Sequence, residues 1–337
     1  MTTPLLRVED LRVTFALRSP GDLPWTKPRL LRAVSGVDFE ILPGETLGIV
    51  GESGSGKSTL ARALIQLVPA TGKAIWQGKT DLLKLSPREM MAYRSDIQMV
   101  FQDPLASLNP RMTVGQIIAE PLRTHRSDLS RDEVRKRVKL SMDRVGLLPN
   151  QINRYPHEFS GGQAQRIGIA RALIVEPKLL ICDEPVSALD VSIQAQVINL
   201  LDELQRDLGL SMIFIAHDLS VVKHISDRVM VLYLGREMET AGSKALYADP
   251  QHPYTQALLS AVPIPDPVAE RAKVMIPLDG ELPSPINPPS GCVFRTRCPR
   301  AAPKCAQEVP VLTKGAHGVA CHYPGPLVTA GKATERA

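Results

Sequence analysis

Residues 51–58 read Gly51-Glu-Ser-Gly-Ser-Gly-Lys-Ser58, directly after an apolar run, Thr46-Leu-Gly-Ile-Val50, and directly before a helix-like run over residues 59–68. The eight residues fit the pattern G-x-x-x-x-G-K-[ST]. A strand, a glycine-rich turn and a helix form the context in which backbone N–H groups face inward and make an anion nest. The helix N-terminus adds the positive end of its dipole. Lys57 is then placed for the β- and γ-phosphates, and Ser58 for Mg²⁺. Gly51, Glu52, Ser53, Gly54, Ser55, Gly56, Lys57, Ser58 and Thr59 are thus the expected phosphate-binding residues. A Gly/Ser-rich surface turn would need neither the strand before nor the helix after.

Further along, Leu179-Leu-Ile-Cys-Asp183-Glu184 is an apolar strand that ends in two acids. Beside a phosphate loop, Asp183 can hold the Mg²⁺ shell, and Glu184 can polarise a water against the γ-phosphate. Residues 211–216 form another short apolar strand, with a helical pattern over residues 191–208 between the two. Strands alternating with helices imply an α/β fold with a parallel sheet. Residues 5–15 and about 33–42 also read as strands, with a Pro43-Gly44-Glu45 turn after them. The middle, about 103–165, is richer in charge and helical periodicity, and is expected to be a helical insert.

Phe159-Ser160-Gly161-Gly162-Gln163 supplies a second run of inward-facing N–H groups at a helix start. With the phosphate loop and the Asp183-Glu184 pair, it resembles the ATP-binding cassette (ABC) ATPases over roughly residues 5–250. That family usually has Leu where Phe159 stands. The resemblance implies a P-loop ABC-type fold, with a mixed sheet core and a helical subdomain, and two cassettes closing face to face around ATP–Mg²⁺. Ser160–Gln163 would cap the γ-phosphate bound to the other subunit. Gln102 looks like the residue that senses Mg²⁺ and the attacking water. His217 looks like the switch histidine at the γ-phosphate, and Phe15 like the adenine-stacking aromatic. Ser187-Ala-Leu-Asp190 looks like the loop that meets the opposite subunit.

The chain has 337 residues, room for about two domains at roughly 150 residues each. No stretch offers about 20 consecutive apolar residues, and the first residues lack a basic segment followed by an apolar one. Residence in the cytosol, with reduced thiols, is the expectation. A net charge of +5 with 4% aromatics does not argue for nucleic acid.

Fifteen of the 29 prolines lie in residues 249–337, too many for regular helices or central strands. We therefore expect an ATPase domain over 1–248 and a loop-rich extension over 249–337, whose last dozen residues fray. Four of the five cysteines, Cys292, Cys298, Cys305 and Cys321, fall in this extension as C-x₅-C-x₆-C-x₁₅-C. The fifth, Cys182, reads as a small buried apolar side chain. Zinc sites normally use C-x₂₋₄-C pairs. The looser spacing suits a [4Fe–4S] cluster, while zinc and free thiols stay open on spacing alone.

Gly291-Cys-Val-Phe-Arg-Thr-Arg-Cys-Pro299 resembles the C-terminal extension of peptide-permease ATPases. So do Gln102-Asp-Pro-Leu-Ala-Ser-Leu-Asn-Pro-Arg111, His252-Pro-Tyr-Thr-Gln-Ala-Leu-Leu259 and Gly280-Glu-Leu-Pro-Ser-Pro285. This implies that the four cysteines hold a [4Fe–4S] cluster. It also implies an importer of di- or oligopeptides, this chain being the second ATPase subunit at the cytoplasmic membrane face. Its partners would be a paralogous ATPase, two membrane permease subunits and an extracytoplasmic peptide-binding protein. Related importers of nickel, glutathione, glycosides or antimicrobial peptides carry similar ATPases, and a soluble cassette ATPase is a more remote alternative. The cluster is expected to staple a region poor in core residues, with the nucleotide site standing apart in the sheet-based core.

Overall fold

The computed structural model describes residues 3–18, 21, 23, 25–263 and 266–327. The expected frayed tail lies almost wholly outside them. Two sheets make the frame. The smaller is antiparallel, in the order β2-β1-β4-β5, from β1 (Leu6–Leu17), β2 (Arg29–Ile41), β4 (Thr71–Trp76) and β5 (Thr80–Asp81). The larger has the order β11-β10-β9-β3-β8-β7-β6. Its parallel centre comprises β9 (Arg228–Tyr233), β3 (Thr46–Val50), β8 (Ser211–Ala216), β7 (Leu179–Asp183) and β6 (Ile97–Val100). β10 (Arg236–Gly242) and β11 (His317–Val319) add an antiparallel edge.

Every residue of β3, β7 and β8 is buried. Strands covered on both faces read as continuous apolar runs, which is why these three were visible in the sequence. Side chains alternate between two cores. Leu47, Ile49, Ile213 and Ile215 face the antiparallel sheet and the phosphate-loop helix, whereas Val50, Met212, Phe214 and Ala216 face the helical side. The helical insert contains Val114–His125 and Arg131–Arg144, packed against Gly161–Leu173. Capping boxes start the first and the last of these, at Thr113/Gln116 and Ser160/Gln163.

The extension departs from expectation in more than one respect. It is loop-rich, but it is not poor in core. Tyr254 and Phe294 are fully buried and meet Tyr233 of β9, with ring centroids 4.8 to 5.2 Å apart. A few large aromatics supply much apolar area, and proline does not exclude regular structure here, because it opens the short helices Pro253–Ala261, Pro267–Ala272 and Pro303–Gln307, where no N–H is needed. β11, also from the extension, pairs with β10 through Glu239↔Val319. Buried Glu239 accepts from the Gln251 and His252 amides at 2.7 and 2.9 Å, and pairs with His317 Nε2 at 2.7 Å.

Glu237, also on β10, lines an open cleft between the small sheet and the extension. Burial pushes its carboxyl up from 4.5 to about 7, against the pull of a Thr240 hydrogen bond. The folded state therefore keeps a proton that the unfolded chain releases. The associated stability is complete below pH 4.5 and is lost as pH rises towards about 7. Glu237→Gln has no such proton to lose. Across that window it is expected to gain at most about 3 kcal/mol over the parent, read as a widening gap in melting temperature between pH 4.5 and 8.

Candidate active site

The phosphate loop joins β3 to the helix Lys57–Leu64. Gly56 has φ +100°, and a Cβ there would lie 2.2 Å from the Ala33 carbonyl oxygen. A Cβ on Gly51 would lie 2.1 Å from that of Leu232. Only glycine allows both the turn and the close approach. Lys57 is buried. Its ammonium donates to the Gly51 and Glu52 carbonyls at 2.8 and 3.0 Å and lies 3.6 Å from Glu184 Oε1. Burial lowers the Lys57 pKa, while Glu184 pulls it back up. Ser53 and Gly54 are exposed at the tip, Ser55 is buried, and Thr59 lies in the first helical turn.

β7 runs parallel to β8 and ends beside this loop. Ser58 Oγ donates to Asp183 Oδ1 at 2.6 Å, and Arg62 approaches Asp183 Oδ2 at 3.5 Å. Asp183 is fully buried, and that burial raises its pKa against the Ser58 hydrogen bond and Arg62. Glu184 follows in the left-handed region at φ +45°, with its N–H on the Ile215 carbonyl at 3.1 Å. A non-glycine residue there stores strain, and such strain clusters at active sites. The kink turns the carboxylate out of the strand. Gln102 Nε2 donates to its Oε2 at 3.0 Å, and His217 Nδ1, from the end of β8, stands 3.7 Å from the same oxygen. Lys57, Gln102 and His217, up to 160 residues apart in the chain, thus converge on one carboxylate.

Ser160 to Gln163 open a helix as expected, and Ser160 Oγ accepts from the Gln163 N–H at 3.4 Å. Among the described residues, no hydrogen bond or ion pair joins this loop to Lys57, Asp183 or Glu184. It packs instead on the segment after β7: a Cβ on Gly161 would meet Leu189, and one on Gly162 would lie 2.4 Å from Ile193. Val191, between them, is 83% exposed. Phe15 on β1 is half-buried against the small-sheet core, opposite Leu31.

Cys292, Cys298, Cys305 and Cys321 line one small pocket with His252, Phe294 and Tyr323. Burial raises the thiol pKa of Cys292 and Cys321, and takes Cys298 up to about 11. Among the described residues, no group of three or more His, Cys, Asp or Glu is arranged to hold one metal ion. Cys182 is fully buried in β7, against Met212.

The extension does not stand apart from the nucleotide site. Arg297, one residue before Cys298, grips the Glu52 carboxylate of the phosphate loop through both Nη1 and Nη2, at 2.6 and 3.1 Å. The Tyr254 hydroxyl accepts the Glu52 N–H at 2.9 Å. Nothing in the sequence pointed to this pairing across 245 residues.

Comparison with known proteins agrees with this geometry. A family model described as "ABC transporter" matches residues 34–187, and one described as "Oligopeptide/dipeptide transporter, C-terminal region" matches residues 238–305. The chain is 65% identical over 325 residues to the oligopeptide transport ATP-binding protein OppF of Escherichia coli (strain K12), covering 96% of this chain and 97% of that protein. It is 62% identical to the OppF of Haemophilus influenzae, over 94% of this chain and 96% of that one. Among solved structures it resembles cbiO1 of Clostridium perfringens, part of the ABC transporter complex cbiONQ, with a TM-score of 0.62 and 30% identity over 73% of this chain and 91% of that one. A dimeric ATP-binding cassette, MJ0796, bound to ADP and Pi, also matches, with a TM-score of 0.62 and 28% identity over 71% of this chain and 98% of that one. The converging site, the full-length relatives and both family matches lead to one conclusion: the chain belongs to the ABC transporter family, as an ATP-binding subunit of the kind that carries the oligopeptide/dipeptide transporter C-terminal region.

Proposed function

We propose that this chain hydrolyses ATP to drive uptake of di- and oligopeptides through membrane permease subunits. The observation that carries the ATPase reading is the convergence of Lys57, Gln102 and His217 on Glu184, beside the Ser58–Asp183 pair, and the peptide assignment is supported by the oligopeptide transport relatives and the C-terminal region match. Backbone N–H groups of residues 51–58 and the Lys57 ammonium bind the phosphates. Ser58, Asp183 and Gln102 offer hard oxygen ligands that suit Mg²⁺, which neutralises charge on the β- and γ-phosphates when bound. Glu184 takes a proton from the attacking water, the water oxygen bonds to the γ-phosphorus, and the bond to the β-phosphate oxygen breaks, leaving ADP and phosphate. His217 and Gln102 hold the Glu184 carboxylate and the water in line.

Ser160 and Gly161 are exposed, and among the described residues no hydrogen bond or ion pair links Ser160–Gln163 to the chain's own phosphate loop, which supports use in a second cassette's site. The partners are a paralogous ATPase, two permease subunits and an outside peptide-binding protein, with this chain peripheral on the cytoplasmic membrane face. No described helix is long and apolar enough to cross a membrane. The test is ATP hydrolysis by the assembled complex in vesicles, with and without peptide-loaded binding protein. Stimulation by peptide supports the reading, and stimulation only by another solute class overturns the peptide assignment.

We infer from the four thiols that line one pocket that this segment holds a [4Fe–4S] cluster. A cluster offers each thiolate its own iron, so its ligands stand farther apart than those of one zinc. The support for this reading is that all four thiols line one pocket. When bound, the cluster supplies a covalent staple that replaces four thiol protons. Anaerobically purified chain is expected to hold about four irons and lose them on Cys298→Ser. Stoichiometric zinc without iron would contradict this.

A further inference from the structure

The phosphate loop is held from outside the ATPase core at two places, and a third residue of the extension lies beside its tip. Arg297 makes a two-pronged ion pair with Glu52, Tyr254 takes the Glu52 N–H, and Leu282 lies 3.7 Å from where a Cβ on Gly54 would stand. The Arg32 N–H on β2 also donates to the Pro285 carbonyl at 3.3 Å, so residues 282–285 lie between the loop tip and β2.

The Arg297 side chain is only 8% exposed. Among the described residues, its Nε and the nearby Tyr233 hydroxyl have no hydrogen-bond partner. The buried guanidinium is therefore balanced by Glu52, and separating the two would strand a charge. A planar fork on a carboxylate fixes orientation as well as distance. The peptide group it steadies matters, because the Glu52 carbonyl also accepts from Lys57. A loop ordered before ligand arrives loses less freedom on binding.

The same segment carries the thiols. Cys292 and Cys298 bracket Phe294 and Arg297, and Phe294 packs on both Tyr233 and Tyr254. We propose that Arg297 is a positioning residue of the nucleotide site: it orders the phosphate loop through Glu52 and makes nucleotide affinity depend on the integrity of the four-thiol segment. This rests on reading residues 51–59 as the ATP site.

The experiment is equilibrium binding of a fluorescent ATP analogue to the full chain, with melting temperature recorded for each variant. Arg297→Ala is expected to weaken binding about tenfold. Arg297→Lys should recover part of the loss, because it keeps the charge without the fork. Glu52→Gln combined with Arg297→Ala should be no worse than the single changes, and Cys298→Ser should weaken binding by a similar factor. Affinity within twofold of the parent in either Arg297→Ala or Cys298→Ser overturns the proposal. So does Arg297→Lys no better than Arg297→Ala, with losses that merely follow melting temperature. A parent chain that binds no analogue, and is indistinguishable from Lys57→Ala, overturns the ATP-site reading and the proposal with it.

Discussion

Glu184→Gln is expected to leave ATP binding intact and to lower ATP turnover of the assembled transporter by about 10²–10⁴-fold, the usual cost of removing a general base. The amide keeps the shape of the carboxylate and can still meet Gln102 and His217, which now stand 3.0 and 3.7 Å from one oxygen. It cannot take a proton from water. The lost negative charge, 3.6 Å from the Lys57 ammonium, also removes a repulsion that an incoming γ-phosphate would feel. Affinity for ATP should therefore be equal or higher. Steady-state phosphate release together with equilibrium nucleotide binding separates the two effects. Near-normal turnover would remove Glu184 from its role.

Lys57→Ala should act on the other quantity. Its ammonium is buried and meets two loop carbonyls and Glu184. Removing it deletes the positive charge that the β- and γ-phosphates require, and leaves Glu184 facing them. Truncating one partner of a buried, hydrogen-bonded charge pair costs about 2–5 kcal/mol, a drop in affinity of roughly 30-fold to several thousand-fold. Titration with a fluorescent ATP analogue reads this directly. Unchanged affinity would mean that residues 51–58 do not bind phosphate.

What the sequence shows of this molecule follows from where each element sits. β3, β7 and β8 are buried on both faces and carry unbroken apolar runs, so they were legible together with the motifs at their ends. β9 carries the same kind of buried apolar run, over residues 229–233, and goes unread because no motif stands at its end, whereas β4 and β10 lack such a run. β4 belongs to a half-exposed sheet, and β10 carries buried acids, Glu237 and Glu239, in place of a clean alternation. The roles proposed for Lys57, Ser58, Asp183 and Glu184 came from spacing, because the strand–loop–helix unit places these residues locally. The convergence on Glu184 depends on strand order, which spacing alone does not encode. The extension was the hardest part to read. Its prolines argued against regular structure, yet three of them open the helices Pro253–Ala261, Pro267–Ala272 and Pro303–Gln307, and they gave no sign of an aromatic core around Phe294 or of the grip of Arg297 on Glu52. An arginine beside a cysteine carries no signal of a partner 245 residues earlier.

The most direct test of the central claim is uptake of a labelled dipeptide by vesicles containing the complete transporter, with ATP on the side of this chain. Accumulation that requires ATP and is abolished when this chain carries Glu184→Gln is the expected result. Peptide accumulation that persists undiminished with Glu184→Gln would contradict the account.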